Sequence, residues 1–228
     1  MKFLHLAARV IFVLSLPLLF LSLSLAIAFN SPWLYHYGFE KYDVESVTGI
    51  ERNELDYAAG QLIAYFNSDE ELIDVVVTKD GEPFELFNER EILHLVDVKN
   101  LVQLDYAVLL ATGLYSLGYC AVFLARRTRE WFNLARSIIC GGMLTFLIIG
   151  VAAFIALIDF NWFFLQFHLI SFANDLWILD PATDYLIMMF PQGFWFDATI
   201  LCAVMTLLWA AIFWGASYAA LYTADIRR

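Results

Sequence analysis

NEREILHLVDVKNLVQLDYAVLLATGLYSLGYCAVFL, residues 88–124, starts as a charged helix and ends as an apolar one with no break between the two. Asn88 stands where an N-cap belongs and Glu91 follows three residues later, the spacing in which each side chain can satisfy the other's backbone N–H. No Gly or Pro interrupts the run before Gly113. From Leu101 to Leu124 it has the roughly 20 apolar residues that, at about 1.5 Å of rise each, cross about 30 Å of hydrocarbon. One rigid rod is therefore predicted, carrying a polar head outside the membrane on a span inside it.

Three further runs meet the same length criterion: Val10–Phe29, Ser137–Ile158 and Thr199–Leu221. The whole chain of 228 residues is 61% hydrophobic and only 16% charged, well beyond the apolar share of ordinary soluble domains. An all-α membrane protein with four transmembrane helices, at about residues 10–29, 101–124, 137–158 and 199–221, is the expected fold. It is read as a single membrane domain over residues 1–228. The run Ala26-Ile27-Ala28 imitates a signal-peptidase site, but the apolar stretch before it is about twice the usual length of a signal core, so an uncleaved anchor is expected.

Basic residues near spans stay in the cytoplasm. Lys2 and Arg9 precede the first run, Arg126, Arg127, Arg129 and Arg136 fall between the second and third, and Arg227 and Arg228 end the chain. Asp159–Asp197 has no Lys or Arg and five Asp, while Asn30–Asn100 has five basic and sixteen acidic residues. Both termini are thus expected in the cytoplasm, with 30–100 and 159–198 outside. The net charge of −11 then belongs almost wholly to the outer side. An acidic surface repels nucleic acid, and no nucleic-acid partner is expected.

Within 30–100, Asn30-Ser31-Pro32 should break the first helix, with Trp33, Tyr35 and Tyr37 marking the interface. Thr48-Gly49-Ile50-Glu51 reads as a capping box opening a helix to about Phe66 that buries Leu55, Leu62, Ile63 and Phe66. Val75-Val76-Val77 and Phe84-Glu85-Leu86 flank Lys79-Asp80-Gly81 as a small hairpin, too small to stand without a helix or bilayer to pack on. The outer part is therefore a small α subdomain with one β hairpin. Between 159 and 198 aromatic residues crowd an interfacial loop, in which Asp180-Pro181 should open a short helix that stops before Pro191. Cys120, Cys140 and Cys202 all fall in spans and read as buried apolar residues rather than metal or redox groups.

Chemistry rests on two of the four histidines. His94 has Glu91 and Asp97 three residues to either side, on one helical face, and lies about seven residues before the second span, hence roughly 10 Å from the hydrocarbon at helical rise. His168 is set among aromatics in Phe167-His168-Leu169, where an imidazole is costly unless paired or used. Each has a plain structural alternative, a solvated helix face for His94 and a carbonyl-bonded helix end for His168. Signatures of other chemistries are missing: no G-x-S-x-G elbow, no H-E-x-x-H and no Gly-rich phosphate loop. A histidine pair with carboxylates can still move protons near neutral pH. Two separated histidines make a weak metal signature, so no metal and no cofactor is expected.

The run Asn88–Lys99, together with Phe167-His168, Trp177, Asp180-Pro181, Asp184 and Phe190-Pro191, resembles the bacterial lipoprotein intramolecular transacylase family along the whole chain. That resemblance implies an acyltransferase of the bacterial cell membrane, its site on the extracytoplasmic side. The implied substrate, embedded among membrane lipids, is a lipoprotein with a diacylglyceryl-cysteine at its N-terminus. One acyl chain would pass from the glyceryl oxygen to the α-amine of the same cysteine, leaving an N-acyl, S-monoacylglyceryl (lyso-form) product. His94 and His168 fall where the family's essential histidines are expected. Glu91 and Asp97 would orient them, Arg90 or Asn174 would steady an oxyanion, and Trp177 would line the acyl site. Two rival readings remain: a non-enzymatic auxiliary or receptor protein, and a metal-dependent lipid hydrolase.

Overall fold

A computed structural model describes residues 2–125 and 131–226. Arg126, Arg127 and Arg129 of the expected cytoplasmic loop lie outside the described residues, as do Arg227 and Arg228. Four helices are long and apolar enough to cross a membrane: α1 (Lys2–Phe29), α5 (Glu89–Ala125), α6 (Trp131–Ile158) and α9 (Gln192–Ile226). Helix α5 is the unbroken rod that the sequence predicts.

The chain divides into two compact units. The first comprises Met1–Leu25, Asp105–Ile155 and Ile200–Arg228. Its core gathers Phe12, Leu16, Phe20, Tyr119, Leu134 and Ala210, with the rings of Phe12 and Tyr119 stacked at 4.2 Å. Between apolar helices in lipid, close packing and interhelical hydrogen bonds take the place of the hydrophobic effect. Ser15 meets Ser116 at 3.3 Å and Thr206 meets Ser24 at 3.1 Å. Cys202 is buried and Cys120 half-buried, but Cys140 is exposed and all three are unpaired. The expectation of three buried cysteines is thus corrected at Cys140, which sits on an outward face of α6.

The second unit comprises Ala26–Leu104 and Ala156–Thr199. Helix α1 stops at Phe29, and Pro32 opens α2 (Pro32–Lys41), followed by α3 (Val44–Thr48), α4 (Arg52–Phe66), β1 (Val76–Lys79) and β2 (Glu82–Glu85). The strands pair antiparallel with Lys79 opposite Glu82. Asp80 and Gly81 both take positive φ, 53° and 82°, the two-residue turn whose twist suits a hairpin. The hairpin is held on α4, where Glu54 accepts the Thr78 N–H at 2.6 Å.

Thr48 does not open α4. Gly49 adopts the left-handed conformation (φ 67°) and closes α3, so Thr48 is that helix's last residue and Glu51 is the N-cap of α4. The Thr48 hydroxyl instead donates back to the Val44 carbonyl. The far end falls at Phe66 as expected, with Leu55, Leu62 and Phe66 buried. Ile63 is only half-buried, and Tyr65 takes its place in the core.

Two more helices complete the unit, α7 (Phe160–Ser171) and α8 (Tyr185–Met189). Helix α7 occupies the start of the expected interfacial loop and ends just past His168, whose bond to the Phe164 carbonyl is the helix-end alternative that the sequence offers. Asp180-Pro181 does not open α8, whose N-cap is Asp184. Residues 180–184 form a turn closed by the Asp184 N–H on the Asp180 carbonyl at 2.8 Å. Helices α2 and α9 approach closely through two glycines. A side chain at Gly38 would overlap the Phe194 ring, and a Cβ on Gly193 would lie 2.6 Å from the Tyr42 ring. Gly38→Val is therefore expected to destabilise the protein by about 2 kcal/mol through overpacking, read as a lower midpoint of thermal unfolding in detergent.

Candidate active site

Every element of the site belongs to the second unit. Its scaffold begins at the head of α5. The Asn88 side chain accepts the Glu91 N–H at 3.1 Å, and the Glu91 carboxylate accepts the Asn88 N–H at 2.8 Å. This is the reciprocal cap that the spacing predicted. The other Glu91 oxygen accepts the Leu186 N–H of α8 at 2.6 Å. Glu91, 1% exposed, thus caps two helices at once and does not hydrogen-bond either histidine.

One turn further, His94 is buried. Its Nδ1 is one of two buried side-chain polar atoms without a hydrogen-bond partner among the described residues. His168 comes from the last turn of α7, whose start is fixed by Asp159 accepting the Trp162 N–H at 3.0 Å. It is buried too, and its Nδ1 lies 2.8 Å from the Phe164 carbonyl. A carbonyl can only accept, so Nδ1 carries the proton and Nε2 keeps its lone pair. Burial lowers the His168 pKa below the ordinary histidine value, and the bond to Phe164 partly opposes this. Its imidazole is therefore neutral at physiological pH and ready to accept a proton.

The two imidazole rings lie 6.5 Å apart, tilted by 30°. Phe172 touches both, at 5.1 Å from His94 and 5.6 Å from His168. Phe164 at 4.3 Å and Trp177 at 4.7 Å also pack on His168. Rings this close in an apolar surround disfavour double protonation, because the first charge opposes the second. Trp177, which the resemblance assigns to the acyl site, packs on His168 in this aromatic cluster. The sequence does not single out Phe164 or Phe172, although Phe164 stands one helical turn before His168, a spacing at which side chains are neighbours.

Residues 174–186 are strapped to α5. Asn174 donates to Asp97 at 2.8 Å, Arg90 donates to the carbonyls of Asp175 and Leu176, and Asn88 donates to Asp184 at 3.0 Å. Asp184 also accepts the Asp180 N–H at 2.7 Å. The structure thus brings His94, His168, Trp177, Asp97, Asn174 and Arg90 into one neighbourhood, and uses Glu91 as a brace. Among the described residues no three His, Cys, Asp or Glu side chains are grouped to hold a metal.

Fold and site together define a helical membrane protein with two buried imidazoles in one aromatic cluster. The family described as lipoprotein intramolecular transacylase Lit matches residues 10–195. The chain belongs to that family, and so to the acyltransferases that modify lipoproteins. It is also similar in fold to the membrane integral transacylase Lit from Bacillus cereus, with a TM-score of 0.83 at 19% identity over 100% of both chains. Two variants of that protein with a substituted histidine match at TM-scores of 0.79 and 0.75, with 17% and 19% identity. They cover 99% and 100% of this chain and 97% of theirs. No curated protein matches the chain.

Proposed function

We propose that this protein moves one acyl chain from the glyceryl ester oxygen of a diacylglyceryl-cysteine lipoprotein to the α-amine of the same cysteine. The observation that carries this reading is the His94–His168 pair, 6.5 Å apart in one aromatic site of a chain in this family. Ester and amine belong to one molecule, so positioning supplies much of the acceleration and no covalent enzyme nucleophile is required. One imidazole takes a proton from the ammonium. The freed amine attacks the ester carbonyl and a C–N bond forms; the attacking nitrogen gives its second proton to the other imidazole, which returns it to the glyceryl oxygen as the C–O bond breaks, and the first proton leaves to solvent. The Arg90 guanidinium has five N–H donors, more than its two carbonyl bonds use, and steadies the oxyanion together with Asn174. Trp177, Phe164 and Phe172 hold the acyl chains.

The Arg clusters and the acidic segments 30–100 and 159–198 support a bacterial cytoplasmic membrane location with the site on the extracytoplasmic face. Mass spectrometry of lipoprotein N-termini from cells with and without this chain tests the function. Acyl migration leaves the mass unchanged and alters the fragmentation, because the chain then sits on nitrogen. Identical fragmentation in both strains would refute the proposal. The acid limb of the rate profile is expected at a lower pH than an ordinary histidine gives, since burial lowers the His168 pKa.

A further inference from the structure

Asp97 is a carboxylate without a cation. Among the described residues the ion pairs are His36–Asp56, Lys41–Asp197 and Arg52–Asp56, and none involves Asp97. It is half-buried, one helical turn beyond His94 on the same face of α5, the spacing at which side chains are neighbours. One of its oxygens, Oδ2, accepts the Asn174 side-chain amide at 2.8 Å. The Asn174 carbonyl oxygen accepts the Leu176 N–H at 3.0 Å, which fixes the amide so that its NH₂ faces Asp97. The carboxylate is thus held by a neutral donor through one oxygen, and Oδ1 has no hydrogen-bond partner among the described residues.

Close by, the buried His94 Nδ1 is also without a partner. A carboxylate oxygen and an imidazole nitrogen, both lacking donors on adjacent turns of one helix, call for a ligand that is cationic and rich in N–H. We propose that Asp97, oriented by Asn174, is the subsite for a primary ammonium group, the α-ammonium of the lipoprotein's N-terminal cysteine. The assignment rests on the transacylase reading for the identity of that amine. An ammonium has three donors, enough to meet Asp97 and the histidine pair together. When one N–H bond of the ammonium breaks and an imidazole N–H forms, the positive charge moves from amine to ring but stays beside the same carboxylate. The proton transfer therefore proceeds without separating charge in an apolar surround. Asp97 is a binding residue that selects a free, charged amine.

Two synthetic lipopeptides with ether-linked chains, which cannot transfer an acyl group, isolate this step: one with a free α-amine, the other N-acetylated. The wild-type protein in detergent is expected to bind the free amine roughly tenfold more tightly, the worth of one charge-assisted contact. Asp97→Asn should erase that preference and leave the affinity for the acetylated lipopeptide unchanged. Equal binding of both by the wild type would overturn the subsite, and so would an Asp97→Asn variant that loses affinity for both equally. Turnover of an ester-linked lipopeptide by the wild type is followed in parallel. An amine preference abolished by Asp97→Asn without any N-acyl product would uphold the subsite while refuting the transacylase reading. Turnover with no amine preference would do the reverse.

Discussion

His94→Ala and His168→Ala are each expected to lower the rate of N-acyl product formation by roughly 10²–10⁴-fold, the range for loss of a positioned general acid or base, while the protein still inserts. In the proposed mechanism the two imidazoles serve two ends of one proton circuit, so removing either breaks the whole of it. The double variant should therefore be scarcely slower than the singles, as for groups that act as a unit. His168→Ala also removes the bond to the Phe164 carbonyl and a ring packed among Phe164, Phe172 and Trp177. Its loss of rate needs a stability control that His94→Ala, whose Nδ1 has no partner among the described residues to lose, needs less. His168→Gln supplies one, since it keeps a donor for that carbonyl but cannot take up a proton at neutral pH. Turnover of a synthetic diacyl lipopeptide, followed by fragmentation mass spectrometry, reads all four proteins. Wild-type rates in either alanine variant would end the two-imidazole scheme.

Features written in neighbouring residues were legible in the sequence. The four spans follow from length and apolarity, the hairpin from Asp80-Gly81, and the head of α5 from Asn88 and Glu91. Thr48 shows where local reading misleads: its spacing to Glu51 fits a capping box, yet Gly49 in the left-handed region turns the same four residues into the end of one helix and the start of the next. Asp180-Pro181 fails similarly, because Asp184 already accepts the Asp180 N–H, and a turn replaces the first turn of α8. Helix α7 carries apolar residues on nearly every face, and its few polar ones are too sparse to mark a stripe of period 3.6 by which to recognise it. The histidine pair could be nominated from its neighbours, but its contact could not. His94 and His168 come together where residues 174–186 are tied to α5 by bonds spanning more than seventy positions. The second oxygen of Glu91 belongs to the same class, a local cap with a distant partner.

That distant partner makes Glu91 the position where a small change should do most to the scaffold. Glu91→Ala would leave the Leu186 N–H, buried in α8's first turn, and the Asn88 N–H of α5 without their charged acceptor. Lost bonds to a charged group and the unsatisfied donors they leave behind add up to about 3 kcal/mol, enough to lower the unfolding midpoint by several degrees. Glu91→Gln is the sharper test, because it preserves volume. Its one oxygen can keep either N–H, but its NH₂ must then face the other, donor against donor, and one of the two helix starts is released. If α8's start goes, the strap carrying Trp177 over His168 loses the tie at Leu186 and keeps those from Asn88, Arg90 and Asn174. Glu91→Gln is thus expected to lower kcat more than tenfold with a smaller change in KM, because the reacting groups are mispositioned while the aromatic wall that binds the acyl chains persists. Glu91→Asp, one methylene shorter, should retain the cap on Asn88 and lose the reach to Leu186, giving the same kinetic defect with less loss of stability. A Glu91→Gln protein that unfolds at the wild-type temperature and turns over at the wild-type rate would show that α8 is placed without this carboxylate.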